Sequence, residues 1–179
     1  MSTKKKLIAT PNKGAAVSHR TERGAATAQF TKLQVHNKAT KEGTLLVQRI
    51  TGVRSGNREK MLACIKKGLK YSAITLLEAA LHTSQKELAQ VLSIPPSTLQ
   101  RRKKAGQLQT DESDRVVRLA SLKDAAVAMM RGDDAAAVAW LRTPLDILGG
   151  ESPLAHASTE LGARDVEDLI GRLRHGVFS

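Results

Sequence analysis

Residues 84–106, SQKELAQVLSIPPSTLQRRKKAG, constrain the fold more than any other stretch, because they read as two short helices joined by a tight turn. Ser84 can cap the first helix while Glu87, three residues on, reaches back to the cap, and Leu88, Val91 and Leu92 fall on one face at helical spacing. Ser93-Ile94-Pro95 ends that helix: Pro95 lacks a backbone donor and pushes Ile94 toward extended geometry. Pro96 fits the first position of a second helix, where a missing N–H costs nothing. Leu99 points inward; Pro96, Ser97, Gln100 and Arg101 point out, with Arg102, Lys103 and Lys104 behind them. Hydroxyl, amide and guanidinium groups on a short helix backed by cations suit a DNA major groove. The alternative is an ordinary helical hairpin with a solvated basic end. Turn length, cap and second-helix charge together favour a helix-turn-helix.

The chain of 179 residues carries a formal net charge of +12, unevenly distributed. Residues 1–70 hold 16 Lys and Arg against 3 Asp and Glu, whereas residues 107–179 hold 8 against 12. The first part and the helix-turn-helix can face phosphate while the last part faces something else. Aromatic residues are only 2% of the chain, so aliphatic side chains must build the core, and binding of single strands by base stacking is disfavoured. Cys64, the single cysteine, allows no internal disulfide and fits a reducing cytoplasm. No apolar run approaches the ~20 residues of a membrane span.

Residues 1–56 read as a basic and largely flexible region, with residues 1–42 loosely held and Thr44–Ile50 as one β-favouring run, a strand or a packing arm. Residues 57–110 read as the DNA-binding domain. Asn57 caps a helix running to Lys67, with Met61, Leu62 and Ile65 inward and Gly68 at its end, and a further helix spans Tyr71–Leu81. Residues 111–179 read as a second helical domain. Its long first helix runs from about Glu112 to Met130, capped by Thr110 or Asp111, with Leu119, Leu122, Ala126 and Met129 in a stripe. A helix through Arg142, a short one from Ser152-Pro153, and a last one from Ala163 to His175 complete an all-α chain.

No constellation here carries a reaction. His19, His36, His82, His156 and His175 have no metal-ligand spacing to one another or to Cys64, which reads as a small hydrophobe. Asp133-Asp134 and Asp165 with Asp168 sit at helix starts, where acids are favoured anyway. The expectation is binding rather than catalysis, with no metal and no cofactor.

From about residue 60 onward, the order of features resembles antitoxins of the Xre/MbcA/ParS family. It is carried by Glu112-Ser113-Asp114-Arg115 with Arg118-Leu119, Trp140-Leu141 with Pro144, Leu148-Gly149-Gly150 with Pro153-Leu154, and Gly162-Ala163, Val166 and Leu169 before Gly171–Ser179. The resemblance implies an Xre-like helix-turn-helix followed by a small toxin-binding domain. It implies a chain that silences a cognate RES-type, NAD-degrading toxin by covering its active site and represses its own operon. It further implies a homodimer and a toxin–antitoxin hetero-oligomer. Ser97, Gln100, Arg101, Arg102, Lys103 and Lys104 are then the candidates for DNA contact. Arg172, Arg174, Val177, Phe178 and Ser179 are the candidates for toxin contact. Val177-Phe178 either enters a partner pocket or folds back on its own domain, and the resemblance favours the pocket. Trp140 reads as a core anchor; Arg115 and Arg118 read as partners of Glu112, Asp114 or acids of a partner. Two other readings remain: a stand-alone helix-turn-helix transcriptional regulator without a toxin, and a nonspecific nucleic-acid packing protein driven by the basic first part.

Overall fold

The computed structural model describes residues 45–54 and 56–176, which are helical wherever they are regular. Helices follow in the order α1 (Leu46–Thr51), α2 (Arg58–Lys67), α3 (Ser72–Leu81), α4 (Gln85–Val91), α5 (Pro96–Ala105), α6 (Thr110–Met129), α7 (Asp134–Arg142), α8 (Pro153–His156) and α9 (Glu160–His175), with a 3-10 turn at Asp146–Leu148. The all-α expectation holds. The expectations for residues 1–44 and for Val177, Phe178 and Ser179 lie outside the described residues.

Helix α6 is the axis of the fold. Its 20 residues span about 30 Å and contain neither Gly nor Pro. Helices α1, α2 and α3 pack on it from one side of the sequence, and α7 and α9 from the other. Val116, Leu119, Ala120, Leu122 and Ala126 are buried along it, which includes most of the expected stripe; Met129 is half-buried. Trp140 on α7 is in the same core, as expected.

The first turn of α6 differs from the expected cap. Gln109 is the cap position, and the Glu112 carboxylate accepts from its N–H at 2.8 Å. Ser113, fully buried, accepts from the Leu69 N–H at 2.9 Å and donates to the Gln109 carbonyl at 2.7 Å. One hydroxyl thus ties the α2–α3 junction to α6.

The expected β-run at Thr44–Ile50 is a correction: residues 46–51 form α1. Leu45 gives it no side-chain cap, but Asp124, in the middle of α6, accepts from the Leu46 and Val47 N–H groups at 2.8 and 3.0 Å. A cap from 78 residues away, together with burial of Leu46, overrides a β-branched composition. This docking takes residues 46–51 out of the flexible region expected for residues 1–56. Leu62 is a second correction. It is 48% exposed, because only the Met61, Cys64 and Ile65 side of α2 meets the core.

The caps of the remaining helices are local. Asn57, Ser84, Asp133, Ser152 and Thr159 each accept from a backbone N–H three residues on. The last of these starts α9 at Glu160, three residues earlier than expected, so Asp165 and Asp168 lie inside the helix rather than at its start.

Candidate functional site

Helices α4 and α5 form the expected pair. Helix α4 ends at Val91, Ser93 takes a left-handed φ of 51°, and the Ile94 N–H returns to the Ala89 carbonyl at 2.9 Å. Pro96 opens α5 as the spacing predicts. Leu88, Leu92, Ile94 and Leu99 are buried, so the pair is locked through aliphatic contacts. The Ser84 hydroxyl caps α4, but Glu87 does not close the expected box. Its carboxylate instead faces the Arg142 guanidinium at 3.4 Å. Arg142 also donates to the Leu81 and His82 carbonyls at the end of α3, so α7 holds the helix-turn-helix from behind.

On α5, Ser97, Gln100, Arg101 and Lys104 are exposed and recur at i, i+3, i+4 and i+7, which places them on one face; Lys103 is exposed beside them. Among the described residues, Arg101, Lys103 and Lys104 form no ion pair. Arg102 departs from this set and from its expected exposure. Its side chain is 15% exposed, and its Nε donates to both carboxylate oxygens of Glu112, at 2.9 and 2.8 Å. Glu112 is 5% exposed at the side chain, so the pair bolts α5 to the first turn of α6. Periodicity on α5 alone could not reveal this, because the covering element is the next helix.

Cations of the second half are mostly neutralised within the fold. Arg115 pairs with Asp111, Arg118 with Asp114, Lys123 with Asp134 and Arg164 with Glu160. Arg118 therefore has an expected partner, whereas Arg115 pairs with Asp111 and Glu112 is held by Arg102. At the far end, Arg172 and Arg174 are exposed in the last turn of α9 and, among the described residues, have no carboxylate partner. Two positions apart, they lie about 200° apart around the helix. The Gly176 N–H closes α9 on the Arg172 carbonyl, with φ of 67°.

His156, which the sequence reading left without a role, links α8 to α9. Its Nδ1 lies 2.9 Å from a Glu151 oxygen and its Nε2 lies 3.3 Å from an Asp165 oxygen. The hydrogen bond with Glu151 is the largest influence and raises its pKa above the usual 6.5; desolvation opposes it, and the hydrogen bond with Asp165 and the charges of both carboxylates add to the rise. No group of three or more His, Cys, Asp or Glu side chains among the described residues is placed to hold a metal ion. Cys64 is half-buried and directs its thiol at the Thr51 carbonyl, 3.7 Å away. No described helix is long and apolar enough to cross a membrane.

A helix-turn-helix with a polar and cationic outer face, fused through one continuous helix to a second helical unit, defines a DNA-binding class of protein. Residues 63–121 match the antitoxin Xre-like helix-turn-helix domain, and residues 125–176 match the antitoxin Xre/MbcA/ParS C-terminal toxin-binding domain. The two matches meet inside α6, whereas the expected boundary at residues 110 and 111 lies at its start. The chain is 36% identical over 137 residues to "Antitoxin Xre" of Yersinia enterocolitica serotype O:8 / biotype 1B, covering 76% of this chain and 93% of that protein. It is 30% identical over 132 residues to "Antitoxin Xre" of Photorhabdus laumondii subsp. laumondii, covering 73% and 89%. A Sphingobium sp. protein named "Prs ADP-ribosylating antitoxin" is 32% identical over 127 residues, covering 66% and 80%. The chain belongs to the Xre/MbcA/ParS family of type II antitoxins.

Proposed function

We propose that this antitoxin neutralises a cognate RES-type, NAD-degrading toxin by blocking its active site, and represses its own operon through operator DNA. The observation that carries the reading is the division of cations. Among the described residues, those on the outer face of α5 and at the end of α9 have no internal partner, while most of those between them do. In this reading Ser97, Gln100 and Arg101 read base edges, and Lys103 and Lys104 neutralise phosphates. Arg102 is withdrawn from that set, since Glu112 holds it. Arg172 and Arg174, with Val177, Phe178 and Ser179 after them, form the toxin-contacting tip. Guanidinium groups on opposite sides of a helix end fit a tip surrounded by a pocket better than a helix laid sideways on a flat surface.

An NAD-consuming partner is supported by the name of the Sphingobium relative, since ADP-ribosyl groups are drawn from NAD. Homodimers are expected to present two copies of α5 to successive turns of the operator and to join toxin in a hetero-oligomer. The test is co-expression with the product of the adjacent gene. Co-purification, with cellular NAD preserved only when the antitoxin is present, is the expected result. A neighbour that neither co-purifies nor depletes NAD would leave a stand-alone regulator as the correct reading.

A further inference from the structure

Beyond the outer face of α5, a second cationic strip gathers where two inter-helix junctions meet. Lys70 and Gln107 form an antiparallel bridge, the Leu108 N–H donates to the Leu69 carbonyl at 2.8 Å, and the Tyr71 N–H donates to Gly106 at 2.9 Å. The Gln107 amide donates to the Lys67 carbonyl at 2.7 Å, and the Thr110 hydroxyl to the Lys66 carbonyl at 3.1 Å. These bonds pin the α2–α3 junction, carrying Lys66, Lys67 and Lys70, against the α5–α6 junction, which Lys103 and Lys104 precede by less than one turn. Gly68 makes the approach possible. Its φ is +87°, and a Cβ there would meet the Leu108 carbonyl oxygen at 2.3 Å.

All five lysines are exposed, and none forms an ion pair among the described residues. Five like charges on two pinned segments repel one another, and both carboxylates in the first turn of α6 are engaged elsewhere, Asp111 with Arg115 and Glu112 with Arg102. Such an arrangement asks for an anion that runs past several positions. A duplex backbone, with one charge per ~1.7 Å of helix axis, meets that demand and lies beside any groove that α5 enters.

We infer that Lys66, Lys67 and Lys70 extend the DNA footprint of the chain, gripping the phosphate backbone beside the groove read by α5. The strip adds affinity without reading sequence, and the inference rests on the DNA-binding part of the proposed function. It is testable with Lys66→Gln/Lys67→Gln/Lys70→Gln in the full chain, titrated by fluorescence anisotropy against operator duplex and random duplex across a salt series.

Each lost phosphate contact removes a slope of about 0.9 in log affinity against log salt, so the triple variant is expected to flatten the slope by about 2.7. Affinity for operator and random duplex should fall together, leaving their ratio within about twofold. Arg131→Gln, which removes an exposed cation of the second half, should leave the slope unchanged. An unaltered slope in a triple variant that melts like the parent would overturn the strip while leaving operator recognition by α5 intact. A change in the operator-to-random ratio would also overturn it, because these lysines would then be reading bases. If the parent chain binds no duplex, the DNA-binding reading and the strip fall together. Tighter binding of single-stranded RNA than of duplex would overturn the choice of partner.

Discussion

Replacing Arg102 by Met separates a structural bolt from a DNA contact. The Glu112 carboxylate is 5% exposed and is met by two donors within 2.9 Å: the Arg102 Nε–H, shared between its two oxygens, and the Gln109 backbone N–H. Removing the guanidinium leaves a buried charge with a single amide donor, a loss of about 3–5 kcal/mol when a buried pair is broken from one side. The 15% exposure of Arg102 lets some water in, so the lower end, about 3 kcal/mol, is expected. That corresponds to a melting temperature lower by on the order of 10 °C, read by circular dichroism. Adding Glu112→Gln removes the stranded charge while an amide oxygen still accepts from Gln109. This double variant keeps the net charge of the parent and should recover most of the loss, with a coupling of about 2 kcal/mol in a double-mutant cycle. Well below its melting point it should bind operator within about threefold of the parent. A stable Arg102→Met that loses operator binding would refute the reasoning, because Arg102 would then be leaving Glu112 to reach DNA.

Ser113→Ala leaves the buried Leu69 N–H without its acceptor and should cost about 1–3 kcal/mol in urea denaturation; a neutral result would mean that this donor is satisfied otherwise. Asp124→Ala removes the carboxylate that caps α1 and should cost about 1–2 kcal/mol, with amide exchange accelerated at Leu46 and Val47 but not in the middle of α6. For His156 the folded-state pKa lies above 6.5, so its partners stabilise the fold fully below that value, and the contribution fades as pH rises through the raised value. His156→Gln should therefore be most destabilising at about pH 5.5 and least so at about pH 8.5, and a pH-independent difference would contradict the assigned contacts.

What the sequence made legible was chemistry that acts over three or four residues. Ser84 on the Glu87 amide, Pro96 opening α5, Asn57 and Ser152 as caps, and Leu99 facing inward all follow from bonds and clashes within a single turn. What it hid was chemistry that arrives from elsewhere in the chain. The cap of α1 comes from Asp124, the partner of Arg102 is on the following helix, and Glu87 answers to Arg142 on α7. Leu62 looked like a core residue because α2 carries apolar residues on more sides than α6 and α1 cover. The candidate site divided along the same line: exposure of Ser97, Gln100, Arg101, Lys103 and Lys104 was readable from helical periodicity, and the withdrawal of Arg102 was not.

The account turns on two functions separated along one helix, and removal of residues 172–179 tests this most directly. The shortened chain keeps α5, its aliphatic lock and both anchors to α6 and α7, so its operator dissociation constant should stay within about twofold of the parent's, about 0.4 kcal/mol. In the same preparation, inhibition of the purified neighbouring toxin, followed as NAD consumption, should be lost. Full inhibition by the shortened chain would contradict the proposed plug, and equal loss of both activities would contradict the separation itself.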